Sequence, residues 1–242
     1  LELKRTSKSV KTNTKMAMEL ENWYKSIPVV TRVYLTLACL TSGAVTFEFV
    51  TPLNLYLNYR LIWQKYQIWR LLTNFLFFDR ITIHLFFHMH FLYSYCRRLE
   101  EHYYHRRTAD FLYMLLFGAG SMLVISACVY DIVFLSHSLV VMVVYIWSRR
   151  NPEEHLNLLG LFTIPAPYLA YVMLGFSVMF GGVSAAAVDI IGIVVGHVYW
   201  FLADILPKIV GFHILKTPGF VAALFPNDDV VIPGEQWVPA FD

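Results

Sequence analysis

The chain has 242 residues, of which 57% are hydrophobic and only 15% are charged. Soluble domains carry about 25% charged residues, so this composition predicts an integral membrane protein rather than a soluble domain. The formal net charge of +2 says little on its own, and we expect no nucleic-acid partner. The three cysteines (Cys39, Cys96 and Cys128) lie in or beside apolar segments, which argues against a disulfide framework.

The first part of the chain is basic and polar. We expect residues 1–17 to form a disordered leader, and they lack the apolar run of a secretory signal peptide. A remnant of an organelle transit sequence and a plain solvated tail both remain open as interpretations of this leader. The next stretch, Met18–Ile27, has one apolar face and predicts an amphipathic helix at the membrane interface.

Six apolar segments follow, and they predict an all-α membrane protein with six transmembrane helices. Several segments are shorter than the ~20 residues of an ideal span, which implies a locally thinned bilayer or strong reliance on protein neighbours. We therefore expect a membrane domain over residues 18–206 and a mostly irregular tail over residues 207–242. The six segments are Val30–Val50, Ile81–Tyr95, Phe111–Tyr130, Ile132–Trp147, Leu161–Phe180 and Val183–Leu206.

The placement of charge predicts the orientation in the membrane. Most Lys and Arg residues fall on the side of the N-terminus, and the positive-inside rule then places both termini in the cytosol. An even number of spans agrees with this orientation. The basic residues on the opposite side are Arg60, Lys65, Arg70 and Arg80.

The first loop on that opposite side, Thr51–Arg80, is rich in aromatic residues. A loop in solvent should be polar. We therefore expect this loop to fold onto the membrane interface, with its Tyr and Trp side chains at headgroup level. In this interpretation Trp69 and Arg70 anchor the loop at the interface.

The sixth segment contains two glycines one helical turn apart, Gly192 and Gly196. Small residues at this spacing let another helix backbone approach closely, so we expect this helix to lie at the centre of the bundle. The segment has one full charge, Asp189, close to the same stripe of small residues. A charge at that position should face protein or a wet cavity rather than lipid.

Two histidines of the second segment, His84 and His88, are four residues apart and therefore share a helix face. Metal ligands need such an arrangement. No carboxylate pattern accompanies the pair, so we interpret both as buried or cavity-facing polar residues and expect no metal site.

A serine at the start of the fourth segment, Ser136, could act as a nucleophile if a base lay within hydrogen-bonding distance of its hydroxyl. Its neighbour His137 points to a different helix face and is poorly placed as that base. His197 lies about two turns beyond Asp189, so these two residues cannot serve one site at the same depth. A working Ser–His pair is therefore not expected.

Several motifs occur in the order that they have in the derlins, and the chain resembles that family over about residues 16–226. The resemblance implies a six-helix rhomboid-like bundle without a cofactor, since derlins are inactive relatives of rhomboid proteases. The motifs are Trp23–Arg32 (WYKSIPVVTR), Tyr66–Arg70 (YQIWR) with the following LLTNF, Arg98–Glu100 (RLE), Ala109–Phe117 (ADFLYMLLF), Tyr145–Trp147 (YIW), the Gly192/Gly196 helix followed by His197, and Thr217–Phe220 (TPGF).

Rhomboid proteases use a Gly-x-Ser-Gly serine on the fourth span and a histidine before two glycines on the sixth. Here Ser136 keeps the serine without either glycine, and Asp189 occupies the position of the histidine. The second-span His and Asn that support the oxyanion correspond to His84 and His88, so the histidine survives and the asparagine does not. An aspartate cannot replace an imidazole as a base near pH 7 without a large pKa shift. The resemblance therefore implies a non-enzymatic protein.

The function implied by the resemblance is retrotranslocation of misfolded proteins across the endoplasmic reticulum membrane for degradation. The protein would form part of a channel and thin the membrane. Three alternatives remain open. They are a symbiont-derived protein-import channel in an outer membrane of a complex plastid, a passive scaffold, and an active intramembrane serine protease built on Ser136. The Lys/Ser/Thr-rich leader would suit the plastid alternative.

The partners implied by the resemblance are membrane lipid, misfolded protein substrates, an E3 ubiquitin ligase complex and a cytosolic AAA ATPase. Homo-oligomers and hetero-oligomers both remain open. The family binds the ATPase through a Phe/Gly/Arg-rich box near its carboxyl terminus, and this box is not evident in Val230–Asp242. Direct recruitment of the ATPase is therefore in question.

Overall fold

The computed structural model describes residues 18–19, 21–128, 132–158, 162–211 and 215–226. Most of the leader and the last part of the tail, including Val230–Asp242, lie outside these residues. A short helical segment over residues 21–26 precedes the longer elements. The helices that follow are α1 (Val29–Thr46), α2 (Tyr59–Lys65), α3 (Arg70–Leu76), α4 (Ile83–Arg98), α5 (Thr108–Cys128), α6 (Ser136–Arg150), α7 (Leu169–Trp200), α8 (Leu206–Val210) and α9 (Gly219–Ala222).

The long helices coincide with the predicted apolar segments, and the prediction of an all-α membrane fold is confirmed. Three helices are long and apolar enough to cross a membrane, namely Val29–Thr46, Thr108–Cys128 and Gly181–Val210. The count of six crossings and the cytosolic position of both termini stay predictions. Among the described residues, strands occur only in one antiparallel hairpin, formed by β1 (His155–Leu158) and β2 (Phe162–Pro165).

This hairpin corrects the predicted start of the fifth segment. The sequence predicts a helix from Leu161, whereas the chain forms β2 and a short 3₁₀ turn over Ala166–Tyr168 before α7 begins at Leu169. Proline is tolerated in the first turn of a helix but not in its interior, so Pro165 and Pro167 are incompatible with a helix that runs on from Leu161. At its carboxyl end, α7 continues through a wide π-helical turn, Phe201–Ile205, into α8.

The centre of the bundle is occupied by α6, and the expectation that the Gly192/Gly196 helix lies there is wrong. Nearly every side chain of α6 from Ser136 to Ser148 is buried. The second half of α7 instead exposes an apolar stripe at a spacing of four residues, formed by Ile190, Val194 and Val198. The glycine stripe therefore brings one face of α7 onto the core and leaves the opposite face available to lipid.

The chain reverses direction in the middle of α7. Gly182 has φ 73° and ψ −167°, a left-handed conformation that side chains with a Cβ rarely adopt. Arg149 lies near Tyr171 in the first half of α7 and near Trp200 in the second half. Both halves therefore reach the level of the carboxyl end of α6, and the second half runs parallel to α6.

One end of the bundle, here called the basic end, is where α1 and α5 begin and where α4 and α6 end. Arg150 at the end of α6 is paired with Asp204 in the wide turn after α7, through Nε–Oδ2 and Nη2–Oδ1 distances of 2.8 and 3.0 Å. Its guanidinium also lies 3.5 Å from the ring centroid of Tyr103, and the Tyr103 hydroxyl donates to Asp204. This ion pair connects three elements at the basic end.

The tail returns to the basic end as well. The Oγ1 of Thr217 contacts the carboxylate of Asp110 in the first turn of α5. In the short α9 that follows, the side chain of Val221 is buried. The described part of the tail is therefore packed on the bundle, although the domain boundary at residue 206 itself stays a prediction.

A carboxylate from another element completes the first turn of α1. Glu100, in the π-helical turn after α4, accepts hydrogen bonds from the backbone N–H groups of Val30 and Thr31 at 3.0 and 2.8 Å and from the Thr31 hydroxyl at 2.7 Å. The first N–H groups of a helix have no partner within the helix. Burial nevertheless raises the pKa of Glu100 above its usual value, more than these hydrogen bonds lower it.

We expect Glu100→Ala to destabilise the bundle by about 1–3 kcal/mol, since two buried N–H groups would lose their acceptor. The measurement is the free energy of unfolding of the full chain in bicelles. Glu101→Ala is the matched control, because Glu101 makes a half-exposed ion pair with Arg97 that is worth at most about 1 kcal/mol. Equal losses in the two variants would contradict the capping role of Glu100.

Candidate functional site

Polar side chains from three helices meet where α6 begins. Ser136 and His137 form the first turn of α6, Asp189 comes from the second half of α7, and His88 comes from α4. Ser136, Asp189 and His88 are buried, whereas His137 is partly exposed. The sequence marks Ser136, Asp189 and His88 as the positions that correspond to a rhomboid active site, and the structure brings these three elements together.

The hydroxyl of Ser136 is hydrogen-bonded to a backbone carbonyl group. Its Oγ donates to the carbonyl oxygen of Phe77, in the segment after α3, at 2.6 Å. A serine becomes a nucleophile when an adjacent base removes its proton. Here the proton points at a carbonyl oxygen that cannot act as a base, and the hydrogen bond fixes the first loop against the start of α6.

The carboxylate of Asp189 faces His137. Asp189 is 0% exposed, and its Oδ1 lies 2.7 Å from Nδ1 of His137. Neither carboxylate oxygen has a donor in hydrogen-bonding alignment among the described residues, so this short contact is an ion-pair or charge–dipole contact rather than a well-directed hydrogen bond. His137 does point away from Ser136, as its adjacent position predicts, and the face that it points to is the one that meets α7.

His88 completes this group. Its ring is packed edge-to-face on the ring of His137, with the centroids 4.3 Å apart, and it also lies near Phe78. The backbone of His84 belongs to α4, but its side chain lies outside the described residues. Within the described part of the chain, no three His, Cys, Asp or Glu side chains have an arrangement that could hold a metal ion.

The sequence missed the contact between His137 and Asp189. The signal was present, because an ionisable residue inside a membrane segment pairs with another polar group. The only way to identify the partner is to know the relative rotation of α6 and α7. His197 does not belong to this group. It lies beside Tyr145, with its Nδ1 2.8 Å from the Tyr145 hydroxyl oxygen.

Gly192 and Gly196, in the second half of α7, lie directly against α6. A Cβ at Gly192 would overlap the carbonyl oxygen of Ser138, and a Cβ at Gly196 would come within 3.1–3.3 Å of Tyr145 and the carbonyl oxygen of Met142. The hydroxyl of Ser138 donates to the carbonyl oxygen of Val188 at 2.5 Å. The close approach and the hydrogen bond together fix the register of the two helices.

Trp69 and Arg70 of the first loop differ in burial. Trp69 is 54% exposed and suits the expected position at the membrane interface. Arg70 is only 4% exposed, so its expected role as an interfacial anchor is wrong. Its Nη1 donates to the carbonyl oxygens of Leu53 and Tyr56, both at 2.9 Å, and its guanidinium lies over the Tyr56 ring. Arg70 therefore holds the loop together from inside.

We expect Gly192→Ala to destabilise the bundle by about 2 kcal/mol, because the new methyl group would overlap a backbone oxygen that cannot rotate away. Gly120→Ala on α5 is the control, since a Cβ there meets nothing within 4 Å and alanine favours a helix by up to about 1 kcal/mol. Unfolding in bicelles measures both variants. The close-packing interpretation fails if the two substitutions have the same sign and size.

We also expect the effects of His137→Ala and Asp189→Asn to be strongly coupled. Removal of the imidazole alone leaves a buried carboxylate without its nearest partner, at a cost of about 3–5 kcal/mol. The double variant has no such charge and should lose clearly less than the sum of the single losses. A double-mutant cycle on unfolding free energies tests this, and additive losses would show that the two side chains do not interact.

Comparison with known proteins relates the whole bundle to one family. The model of the Der1-like family matches residues 27–219. The chain is 48% identical to Derlin-2.2 of Zea mays over 227 residues, which cover 90% of each chain. It is 46% identical to Derlin-2.1 of Arabidopsis thaliana, over 90% of this chain and 92% of the relative. It is 43% identical to a probable derlin-2 homolog of Dictyostelium discoideum, over 88% of this chain and 86% of the relative. The chain therefore belongs to the Der1-like, or derlin, family of rhomboid-like membrane proteins.

Proposed function

We propose that this protein moves misfolded proteins across the endoplasmic reticulum membrane for ubiquitin- and proteasome-dependent degradation, without cleaving them. In this proposal it forms part of a protein channel and thins the bilayer around it. Membership of the derlin family supports the general role. The contacts around α4, α6 and α7 support the mechanism.

One observation carries the non-proteolytic part of the proposal. The Oγ of Ser136 donates its proton to the carbonyl oxygen of Phe77, and the residue on α7 that faces the start of α6 is a carboxylate, Asp189. Acyl transfer by a serine needs a base in hydrogen-bonding reach of the hydroxyl. The arrangement favours a structural role for Ser136 over a nucleophilic one.

The limited contact between α4 and α7 supports a path for a polypeptide. α4 packs on α1 and α6, and α7 packs on α6 and α5, so α4 and α7 have little direct contact within the described residues. Beyond Met173, the first half of α7 is largely exposed, and so is Phe86 on α4. His137 touches a residue on each of the two helices and is 23% exposed. A polar imidazole therefore lies between α4 and α7 at the start of α6.

The short helices support thinning of the bilayer. α4 has 16 residues, which span about 24 Å, whereas the hydrocarbon core is about 30 Å thick. α6 is also short but is enclosed by protein, so its length needs no match to the bilayer. α4 exposes Phe86 and Phe87 to the surroundings. A bilayer that matches this helix must be thinner locally, and a thinner slab lowers the cost of moving polar backbone across it.

The remaining parts of the proposal follow from the family. We place the protein in the endoplasmic reticulum membrane with several crossings and with both termini in the cytosol. Its partners in this proposal are misfolded substrates, an E3 ubiquitin ligase complex and a cytosolic AAA ATPase. Ligase and ATPase would supply the ubiquitin and the pulling force, since neither chemistry has a candidate site in the described residues.

We expect Arg70→Ala to lengthen the half-life of a misfolded lumenal reporter severalfold, because the first loop would lose three hydrogen bonds that hold its fold. Arg60→Ala is the matched control, since Arg60 is an exposed arginine in the same loop. Ser136→Ala should leave the half-life within about twofold of wild type, because it removes one hydrogen bond worth ~1 kcal/mol. Pulse-chase in cells that depend on this chain measures all three variants.

Three outcomes would contradict the proposal. Labelling of Ser136 by a fluorophosphonate probe, with cleavage of a transmembrane substrate, would indicate a protease. Normal clearance by Arg70→Ala with the ligase still bound would indicate a passive scaffold. Localisation of the tagged full-length chain to a plastid membrane would indicate an import channel.

A further inference from the structure

Two groups of arginines at the basic end differ in the partners of their guanidiniums; Arg149 belongs to neither, since it donates to the hydroxyls of Tyr145 and Tyr171. In the first group each guanidinium has a carboxylate partner. Arg97 pairs with Glu101 at 2.8 Å, Arg107 pairs with Asp110 at 2.7 Å, and Arg150 pairs with Asp204 at 2.8 Å. The charge of these arginines is largely compensated within the protein.

Arg98 and Arg32 form the second group. Among the described residues neither side chain has a carboxylate in ion-pair distance or a hydrogen-bond acceptor. The guanidinium of Arg98 lies over the rings of Trp147 and Tyr95, at 5.2 and 5.9 Å from the centroids, and that of Arg32 lies 5.6 Å from the ring of Tyr24. A cation–π contact attracts the charge to the ring and provides no hydrogen-bond acceptor of the usual kind, so the N–H groups of both guanidiniums stay available to another acceptor.

Both guanidiniums lie at the same depth of the bundle. Glu100, two residues after Arg98, accepts hydrogen bonds from the backbone of Val30 and Thr31, directly before Arg32. This depth is the beginning of α1, one of the helices apolar enough to cross a membrane. Tyr and Trp side chains concentrate at such a boundary between apolar core and headgroups. Both arginines lie over rings of these types.

The surface below Arg32 is apolar and exposed. Val33, Leu37 and Leu40 of α1 continue from the arginine towards the middle of the bundle, and each is at least 40% exposed. A charged acceptor above an apolar stripe matches the shape of a phospholipid, with its phosphate at the guanidinium and its acyl chain along the helix. A soluble phosphate would use the guanidinium and leave the stripe uncovered.

We propose that Arg98 and Arg32 bind the phosphate groups of anionic phospholipids in the leaflet at the basic end. The planar edge of a guanidinium offers two parallel N–H groups to two phosphate oxygens, and the aromatic rings keep both guanidiniums near this boundary. The binding needs no transport activity and is independent of the proposed function.

The test uses the purified full chain in detergent, titrated with phosphatidylserine and with phosphatidylcholine, and native mass spectrometry to count bound lipids. Arg98→Gln should weaken binding of phosphatidylserine about fivefold, the effect expected for one basic residue at an anionic lipid surface. Arg97→Gln is the control. It removes the same charge from the adjacent residue, but from an arginine that already has a carboxylate partner, so binding should change less than about twofold.

Arg32→Gln provides a second variant with the same expectation as Arg98→Gln, and it keeps the proposal testable if loss of the Trp147 contact prevents folding. Equal weakening by Arg97→Gln and Arg98→Gln would overturn the proposal, because net charge alone would then explain binding. Displacement of phosphatidylserine by inorganic phosphate at the same phosphate concentration would also overturn it, since the site would then take a soluble anion.

Discussion

The close approach of α6 and the second half of α7 is the contact on which the bundle depends. Gly192 and Gly196 leave no side chain between the two backbones, and the Ser138 hydroxyl reaches the carbonyl oxygen of Val188 across the interface. Within a bilayer, helices associate through such packing and hydrogen bonds, because lipid removes the hydrophobic drive. The same contact encloses Asp189, one turn before Gly192, and leaves His137 as its nearest polar neighbour.

The basic end is organised by charge rather than by apolar packing. Arg150 and Asp204 connect the end of α6 with the wide turn after α7, and Glu100 connects the turn after α4 with the start of α1. Each buried carboxylate there has at least two donors, which offsets part of the cost of removing it from water. π-helical turns are rare and often occur at functional sites, and the two such turns among the described residues carry Glu100 and Asp204.

The fold and the chemistry of this protein separate clearly. A rhomboid-like arrangement of helices brings a serine, two histidines and a carboxylate together, and the serine hydroxyl and the carboxylate each contact another part of the protein. Ser136 fastens the first loop to α6, and Asp189 and His137 face each other across two helices. A fold does not by itself imply its best-known reaction, because function depends on the local geometry of particular groups. The proposed path for a polypeptide depends on the limited contact between α4 and α7.

Composition and apolar periodicity were sufficient to predict a helical membrane protein, and the motifs from Trp23 to Phe220 were sufficient for the derlin family. These properties depend on local sequence, because helix formation in a membrane needs only an apolar stretch of adequate length. Pro165 and Pro167 also argue against a helix that runs on from Leu161, although they do not fix its start at Leu169. Gly192 and Gly196 indicated a close contact between two helices. They did not indicate which of the two helices lies at the centre of the bundle.

The tertiary structure alone decided that α6 occupies the centre, that Arg70 is buried, and that His137 faces Asp189. Each of these depends on which elements surround a residue and how the helices are rotated, and a periodic pattern on one helix carries no information about the position of another. Arg70 shows the reason most simply. Its partners are carbonyl oxygens of Leu53 and Tyr56, and since every residue has a carbonyl group, no sequence pattern identifies the two that the folded loop turns towards it.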